Sequence, residues 1–321
     1  MTQYNLWFNT LPTYTDLLDQ LTVLDPGCVP HLTHYFRVLE SNGYKIEGGP
    51  FLLVYDRDSV PAKWVCFQEY YYDNLWTAFD AQYDYRGKLD SAFVTSALNL
   101  LCELYPEHTV SLDMQRHDPS PAVEPWFGLT VQQVQTPIVD LASVDNFDQY
   151  LQKVSSKNRY TIRKSLKQGY RSEWVDYIPA NLLSIALQWT RKFEEDDAYS
   201  TRITQYHAAC QLVYCETAPG IQRQLVYAGD KLVAIAWYQL TDECCTFAAF
   251  ASEAGVTLVG TYALASAIDR FLGHVSYLDP QAVGYPEDDP PDPYALYKKS
   301  VVTVGDFLTL PFYDRNVENS E

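Results

Sequence analysis

The sequence predicts an α/β protein of mixed, α+β-type sheets, built as two similar halves in tandem, and three observations predict it. The stretch "FLLVYDRDSVPAKWVCFQ" at Phe51–Gln68 has a counterpart in "RQLVYAGDKLVAIAWYQ" at Arg223–Gln239. Both pass from Leu-Val-Tyr, through an Asp three residues on, to a second apolar run containing Trp. The segments that follow the two copies match in kind and order. A proline-bearing stretch without periodicity, "RHDPSPAVEPWFG" at Arg116–Gly128, separates the halves. Self-similarity at a distance indicates a repeated architecture rather than one continuous domain.

In the first half, "FLLVYD" and "KWVCFQEY" are short β-branched and aromatic runs separated by the turn-rich "DRDSVPA", a hairpin pattern. "LWTAFDAQYD" supplies a third strand, a loop around Gly87 leads to the helical "SAFVTSALNLLCELY", and "HTVSLDMQ" closes the half. In the second half, Gly229-Asp230 turns the chain between "QLVYA" and "LVAIAWYQL", and a third strand is predicted at Cys245–Ala251. A loop with Gly260 follows. Ala263, Leu264, Ala267, Ile268, Phe271 and Leu272 then recur at helical spacing as one apolar stripe. The strand "HVSYLD" stops at Pro280. Each half thus reads strand–strand–strand–helix–strand, a mixed sheet with a helix packed on it. The connector has no element of its own, so the halves are drawn as residues 1–129 and 130–321. Helices are also predicted over Asn146–Val154 and Arg159–Tyr170, with Gly169 as a stop, and over "ANLLSIALQWTRKFEEDD" and "ITQYHAACQLVYCE".

Composition narrows the function classes. The chain has 321 residues, enough for two cores, and its apolar share of 47% with 20% charged residues is that of a globular protein. No run approaches the ~18 apolar residues of a membrane span, and the first twenty residues lack a basic start and an apolar core, so a cytoplasmic protein is expected. The seven cysteines form no Cys-x-x-Cys pair and read as buried thiols of a reducing compartment. The six histidines form no metal-binding or nucleophile-activating pattern, and His207 and His274 read as structural; no metal is expected. The 26 tyrosines suit sheet surfaces or a sugar or peptide cleft equally.

A net charge of −18 opposes general binding along nucleic acid. Yet "KVSSKNRYTIRKSLKQGYR", Lys153–Arg171, holds seven basic residues and no acid. Helical spacing sets Arg159, Arg163 and Lys167 along one face, which is either a solvated surface or a seat for an anionic group.

The order of these features resembles the GNAT superfamily of acetyltransferase-like proteins, in the branch with two tandem copies. That branch includes Fem-type aminoacyltransferases and acyltransferases of bacterial polysaccharide and cell-envelope clusters. The residues that carry the likeness are the basic helix with Arg159-x-x-x-Arg163-Lys164, the hairpin "YAGDKLVAIAWY", the strand "TFAAFA", the Gly260 loop entering a helix, and the late Tyr297-Lys298. It covers roughly 151–302; the first half matches only as a degenerate copy.

The resemblance implies that the Thr246–Ala251 strand diverges from its neighbour and receives an acyl thioester through the backbone of Phe247, Ala249 and Ala251. It implies that the first-turn amides of the next helix, at Val259, Gly260, Thr261 and Tyr262, receive a pyrophosphate, in keeping with the dipole and unbonded N–H groups of a helix start. Tyr297 and Lys298 would border the transfer centre, with Lys298 beside the developing oxyanion and Tyr297 protonating the departing thiolate. Asp279, at the carboxyl end of the last shared strand, is the candidate general base. Acetyl-CoA or another acyl-CoA is the implied donor, and an amine on a small molecule, sugar or peptide the acceptor. The loop "EAGVTLVGTYA" departs from the family pattern in having no Lys or Arg. In the first half Asp84 and Asp90 would repel a phosphate, so that half is expected to be structural or to line the acceptor cleft. Two other readings stand beside this one. An aminoacyl-tRNA donor fits the basic helix, and a non-catalytic binding protein on a duplicated fold fits the imperfect loop.

Overall fold

In the computed structural model, residues 4–41, 51–70, 75–78, 91–106, 109–113, 130–190, 212–213, 215–216, 220–240, 243–280, 301–302 and 307–314 are described. The elements in chain order are β1 (Leu6–Leu11), α1 (Tyr14–Leu24), α2 (Val29–Ser41), β2 (Phe51–Asp56), β3 (Lys63–Tyr70), β4 (Leu75–Ala78), α3 (Ser91–Leu104), β5 (Thr109–Asp113) and β6 (Thr130–Pro137). They continue with β7 (Val139–Asp140), α4 (Phe147–Lys153), α5 (Ser156–Leu166), β8 (Tyr170–Val175), α6 (Ala180–Trp189), β9 (Ile221–Ala228), β10 (Lys231–Leu240), β11 (Cys244–Ser252), α7 (Val259–Phe271), β12 (Tyr277–Asp279) and β13 (Phe307–Asp314). The architecture is the mixed α/β one that the sequence predicts.

Two compact units result, Met1–Val134 with Leu310–Glu321, and Gln135–Thr309. The first contains a seven-stranded sheet in the order β1-β2-β3-β4-β5-β13-β6, the second a six-stranded sheet in the order β7-β12-β11-β10-β9-β8. Strand for strand the pairings agree. β2-β3-β4 and β9-β10-β11 are antiparallel meanders, and β4-β5 and β11-β12 are parallel pairs joined across a helix. Parallel neighbours need such a crossover, which is why α3 and α7 fall where they do. β1 and β8 add antiparallel to β2 and β9. On the far flank β13 and β7 add antiparallel to β5 and β12. The sequence reading did not foresee β1, β6, β7, β8 or β13.

The core of the second unit lies between α7 and the sheet. Ala263, Leu264, Ala267, Ile268 and Phe271 of the predicted stripe are buried against Val226, Ala236, Tyr238, Cys245, Phe247 and Leu278, while its sixth residue, Leu272, is the C-cap of α7 and only partly buried. A polar chain runs through the same layer. Gln224, fully buried, donates to Ser172 Oγ (2.7 Å) and accepts from Tyr238 Oη (2.9 Å), whose hydroxyl also lies 3.1 Å from the Ala263 carbonyl. Ser266 and Tyr262 join at Ser172 (3.2 and 3.3 Å). Fixed partners hold α7 in one register on the sheet, because sliding would strand buried polar groups.

Below the other face, Arg223 and Glu216 form a buried ion pair with both side chains 8% exposed, Nε to Oε2 2.9 Å. The two Nη nitrogens donate to the Asp176, Ile221 and Glu216 carbonyls, and Glu216 also accepts from Trp237 Nε1 and the Ile178 amide. This lock joins the chain after β8 to β9 and β10.

Candidate functional site

The second unit diverges at one place. β12 pairs with β11 over Cys244↔Tyr277, Cys245↔Leu278 and Thr246↔Asp279, and there β12 ends. β11 continues for Phe247–Ser252. In the first unit the matching pair is also joined over three residues, Leu75↔Thr109 to Thr77↔Ser111; in the second, the Phe247–Ser252 extension follows it.

A β-bulge aims it. Against β10 the register passes from Trp237↔Ala249 to Tyr238↔Phe247, so Ala248 is the inserted residue, two positions beyond Thr246, the last residue paired with β12. A bulge bends its strand and increases local twist. Phe247 is buried in the α7 core, and Phe250 packs against the same core with ring centroids 5.8 Å apart. In a regular strand residues three apart face opposite ways. Two phenylalanines at that spacing share one face here because Ala248 is inserted between them.

Beyond β11 the chain turns through Gly255 (φ +79°) and reaches Leu258, which precedes α7 with φ 60° and ψ 11°. Leu258 is the one non-glycine with positive φ among the described residues, in a region leucine rarely adopts. No side chain caps α7 and no acidic residue stands in its first turn. Val259, Gly260, Thr261 and Tyr262 are all buried. The turn is held from β8: Tyr170 donates to the Thr257 carbonyl (2.8 Å) and its ring meets that of Tyr262 at 5.3 Å. Burial pushes the Tyr170 hydroxyl upward, so it stays a donor at neutral pH. A helix start with backbone donors, no carboxylate and a fixed approach suits a phosphate; no cationic side chain stands in Gly255–Tyr262.

Asp279 is the last paired residue of β12, 3% exposed and opposite Thr246. Opposite residues of a parallel pair share a face, so Cys244, Thr246, Tyr277 and Asp279 lie together on the side away from α7. Cys244 Sγ is 3.5 Å from Thr246 Oγ1. Burial, reinforced by the Asp279 charge against the pull of the Thr246 contact, pushes the Cys244 thiol up to about 11. Burial and the nearby Cys244, Glu243 and Asp279 raise Tyr277 as well. Both are held protonated beside the carboxylate.

The three basic residues of α5 do not share one environment. Arg159 turns back, donating from its guanidinium to the carbonyls of Gln152 (2.9 Å) and Val154 (3.2 Å) at the end of α4, where a cation also meets the negative end of the helix dipole. Its Nε is buried with no hydrogen-bond partner. Arg163 is exposed in the last turn, and Lys167 is the exposed C-cap. Tyr160, 68% exposed, stands among Lys157, Arg163 and Lys164 at spacings of three and four, on one helical face. Tyr297 and Lys298 lie outside the described residues, as do Asp84, Asp90 and His207. Among the described residues no group of His, Cys, Asp or Glu could hold a metal ion, and no helix is long and apolar enough to cross a membrane. Cys28, Cys66, Cys215, Cys244 and Cys245 are buried thiols outside any disulfide.

No family model and no curated protein matches the chain. Solved structures do. FemX is 12% identical over 88% of this chain and 90% of its own, with a TM-score of 0.45. L-PGS from Bacillus licheniformis is 9% identical over 80% and 82%, with a TM-score of 0.46. A tandem GNAT protein from the clavulanic acid biosynthesis pathway is 12% identical over 97% of both chains, with a TM-score of 0.44.

Proposed function

We propose that the protein is an acyltransferase of the GNAT type that moves an acyl group from acyl-CoA to an amine, with the donor seated in the second unit. The observation that carries this reading is that β11 runs on through Phe247–Ser252 past its three pairs with β12, and that a short turn then leads into the uncapped start of α7. A thioester arm lying along Phe247, Ala249 and Ala251 would bring its pyrophosphate to the amides of Val259 and Gly260; the Tyr262 amide, expected to join them, instead donates to the Leu258 carbonyl (2.9 Å). Bound there, acyl-CoA supplies the activated acyl carbon. Asp279, the last paired residue of β12, would accept the proton of the incoming amine. Its neighbours Cys244 and Tyr277, held neutral, offer hydrogen-bond donors rather than competing charge. Tyr297 and Lys298 keep the roles that the resemblance implies. Most of the rate would come from holding donor and amine in line.

Calorimetry with CoA and acetyl-CoA tests this reading. Binding is expected, and Gly260→Asp and the surface variant Thr257→Glu should each weaken it at least tenfold by placing a carboxylate at the phosphate seat. Wild type without affinity for either ligand would refute the proposal.

One observation favours a second reading, in which the donor is an aminoacyl-tRNA. Exposed Tyr160 among exposed cations has the form of a stacking platform for a single-stranded end. In that case Tyr160→Ala would abolish capture of charged tRNA, and CoA would not bind.

A further inference from the structure

The loop that enters α7 brings no cation of its own, and the sheet places one at the same end. Lys231 opens β10 and pairs with Ala228 of β9, which pairs in turn with Tyr170 of β8, so the three form one row across the sheet. Ala228 lies two residues from Val226, which is buried in the α7 core, and residues two apart in a strand share a face. The row therefore stands on the α7 side. It also stands at the starting end of that helix. Tyr170 meets Tyr262 of the first turn at 5.3 Å and reaches the Thr257 carbonyl, whereas Trp174, further along β8, meets Phe271 of the last turn at 5.4 Å. Two strand spacings, about 10 Å, separate the Lys231 backbone from that of Tyr170.

The Lys231 ammonium is held by Glu253, Nζ to Oε1 2.5 Å, with the lysine side chain 66% exposed and the glutamate 33%. Glu253 is the first residue past β11, fixed by the bond from its amide to the Val233 carbonyl (2.9 Å), and the turn that it opens leads to Leu258 and α7. A partly exposed ion pair of this kind is held weakly and exchanges partners readily. We propose that Lys231 is the cationic partner of the donor's phosphates and that Glu253 is the anion it gives up for them. The inference rests on the donor reading above and adds to it a residue and a competition. A pyrophosphate at the amides of Val259 and Gly260 offers more negative charge than one carboxylate, so Lys231 leaves Glu253 for it. A chain of net charge −18, with no Lys or Arg in the loop itself, thereby meets a polyanion with a full positive charge. Glu253 sets the threshold, because a ligand without that charge does not release the ammonium.

Calorimetric titration of CoA into wild type, Lys231→Gln, Glu253→Gln and the double variant tests this, with circular dichroism spectra expected to be the same for all four. Lys231→Gln should weaken CoA binding about five- to tenfold, the loss of one charge-assisted contact. Glu253→Gln should tighten it about threefold by freeing the lysine. That gain should vanish in the Lys231→Gln background, because the two residues act through each other. A pair that only braces the hairpin would weaken CoA binding in both single variants, and plain repulsion by Glu253 would give the same gain in both backgrounds. Either result, or Lys231→Gln binding CoA as wild type does, overturns the inference and leaves the donor seat standing. A wild type that binds no CoA overturns the donor reading and this inference with it.

Discussion

The left-handed Leu258 at the entry of α7 admits a test whose sign is fixed by the backbone. An L-residue in this conformation is destabilised by about 1–2 kcal/mol, whereas glycine is not. Against that gain, glycine's greater freedom in the unfolded chain costs about 0.5–1 kcal/mol. Leu258→Gly and Leu258→Ala remove nearly the same half-buried side chain, so its loss cancels in the comparison. The glycine variant is therefore expected to be more stable than the alanine variant by roughly 0.5–1 kcal/mol, where an ordinary helix start would favour alanine by a similar amount. Because two units need not unfold together, the readout is hydrogen exchange at the α7 amides rather than a single melting temperature. Equal or greater protection in the alanine variant would refute the left-handed entry, and with it the placement of the first-turn amides at the mouth of β11.

Other consequences follow from the packing. Glu216→Ala leaves the Arg223 charge buried without its partner and should destabilise the second unit by about 3–5 kcal/mol in urea denaturation, while Glu216→Ala with Arg223→Met recovers much of the loss. Ser172→Ala breaks the polar chain under α7 at its branch and should cost about 1–3 kcal/mol, seen as faster exchange in α7 and β9. With the Cys244 thiol raised to about 11, unfolded chains release its proton above pH 9 while folded ones keep it. The unfolded state then binds fewer protons, and stability falls as pH rises from 9 to 11. Denaturation midpoints across that range should drop, and Cys244→Ala should flatten the slope.

Much of this arrangement is written in local pattern. The meander β2-β3 announces itself by "DRDSVPA", β9-β10 by Gly229-Asp230, and α7 by a stripe of six residues at helical spacing. What stayed hidden depends on distant partners. β13 pairs with β5 from the far end of the chain, and nothing in "FLTLPFYD" specifies that neighbour. β8 reads as the tail of the basic run, because Tyr170, Ser172 and Trp174 face the α7 layer while Arg171 and Glu173 face solvent. The Ala248 bulge shows only once Phe247 and Phe250 are known to face one core. Charge spacing alone could not separate Arg159, drawn to the carbonyl ends of α4, from Arg163. Nor could composition reveal that Glu216 waits beneath Arg223.

Hydrogen exchange with and without saturating CoA tests the donor seat most directly. New protection should appear along Phe247–Ser252 and over the first turn of α7, Val259–Tyr262, with β4 and α3 of the first unit unchanged. Exchange unaltered in those two stretches, or protection confined to the first unit, would contradict it.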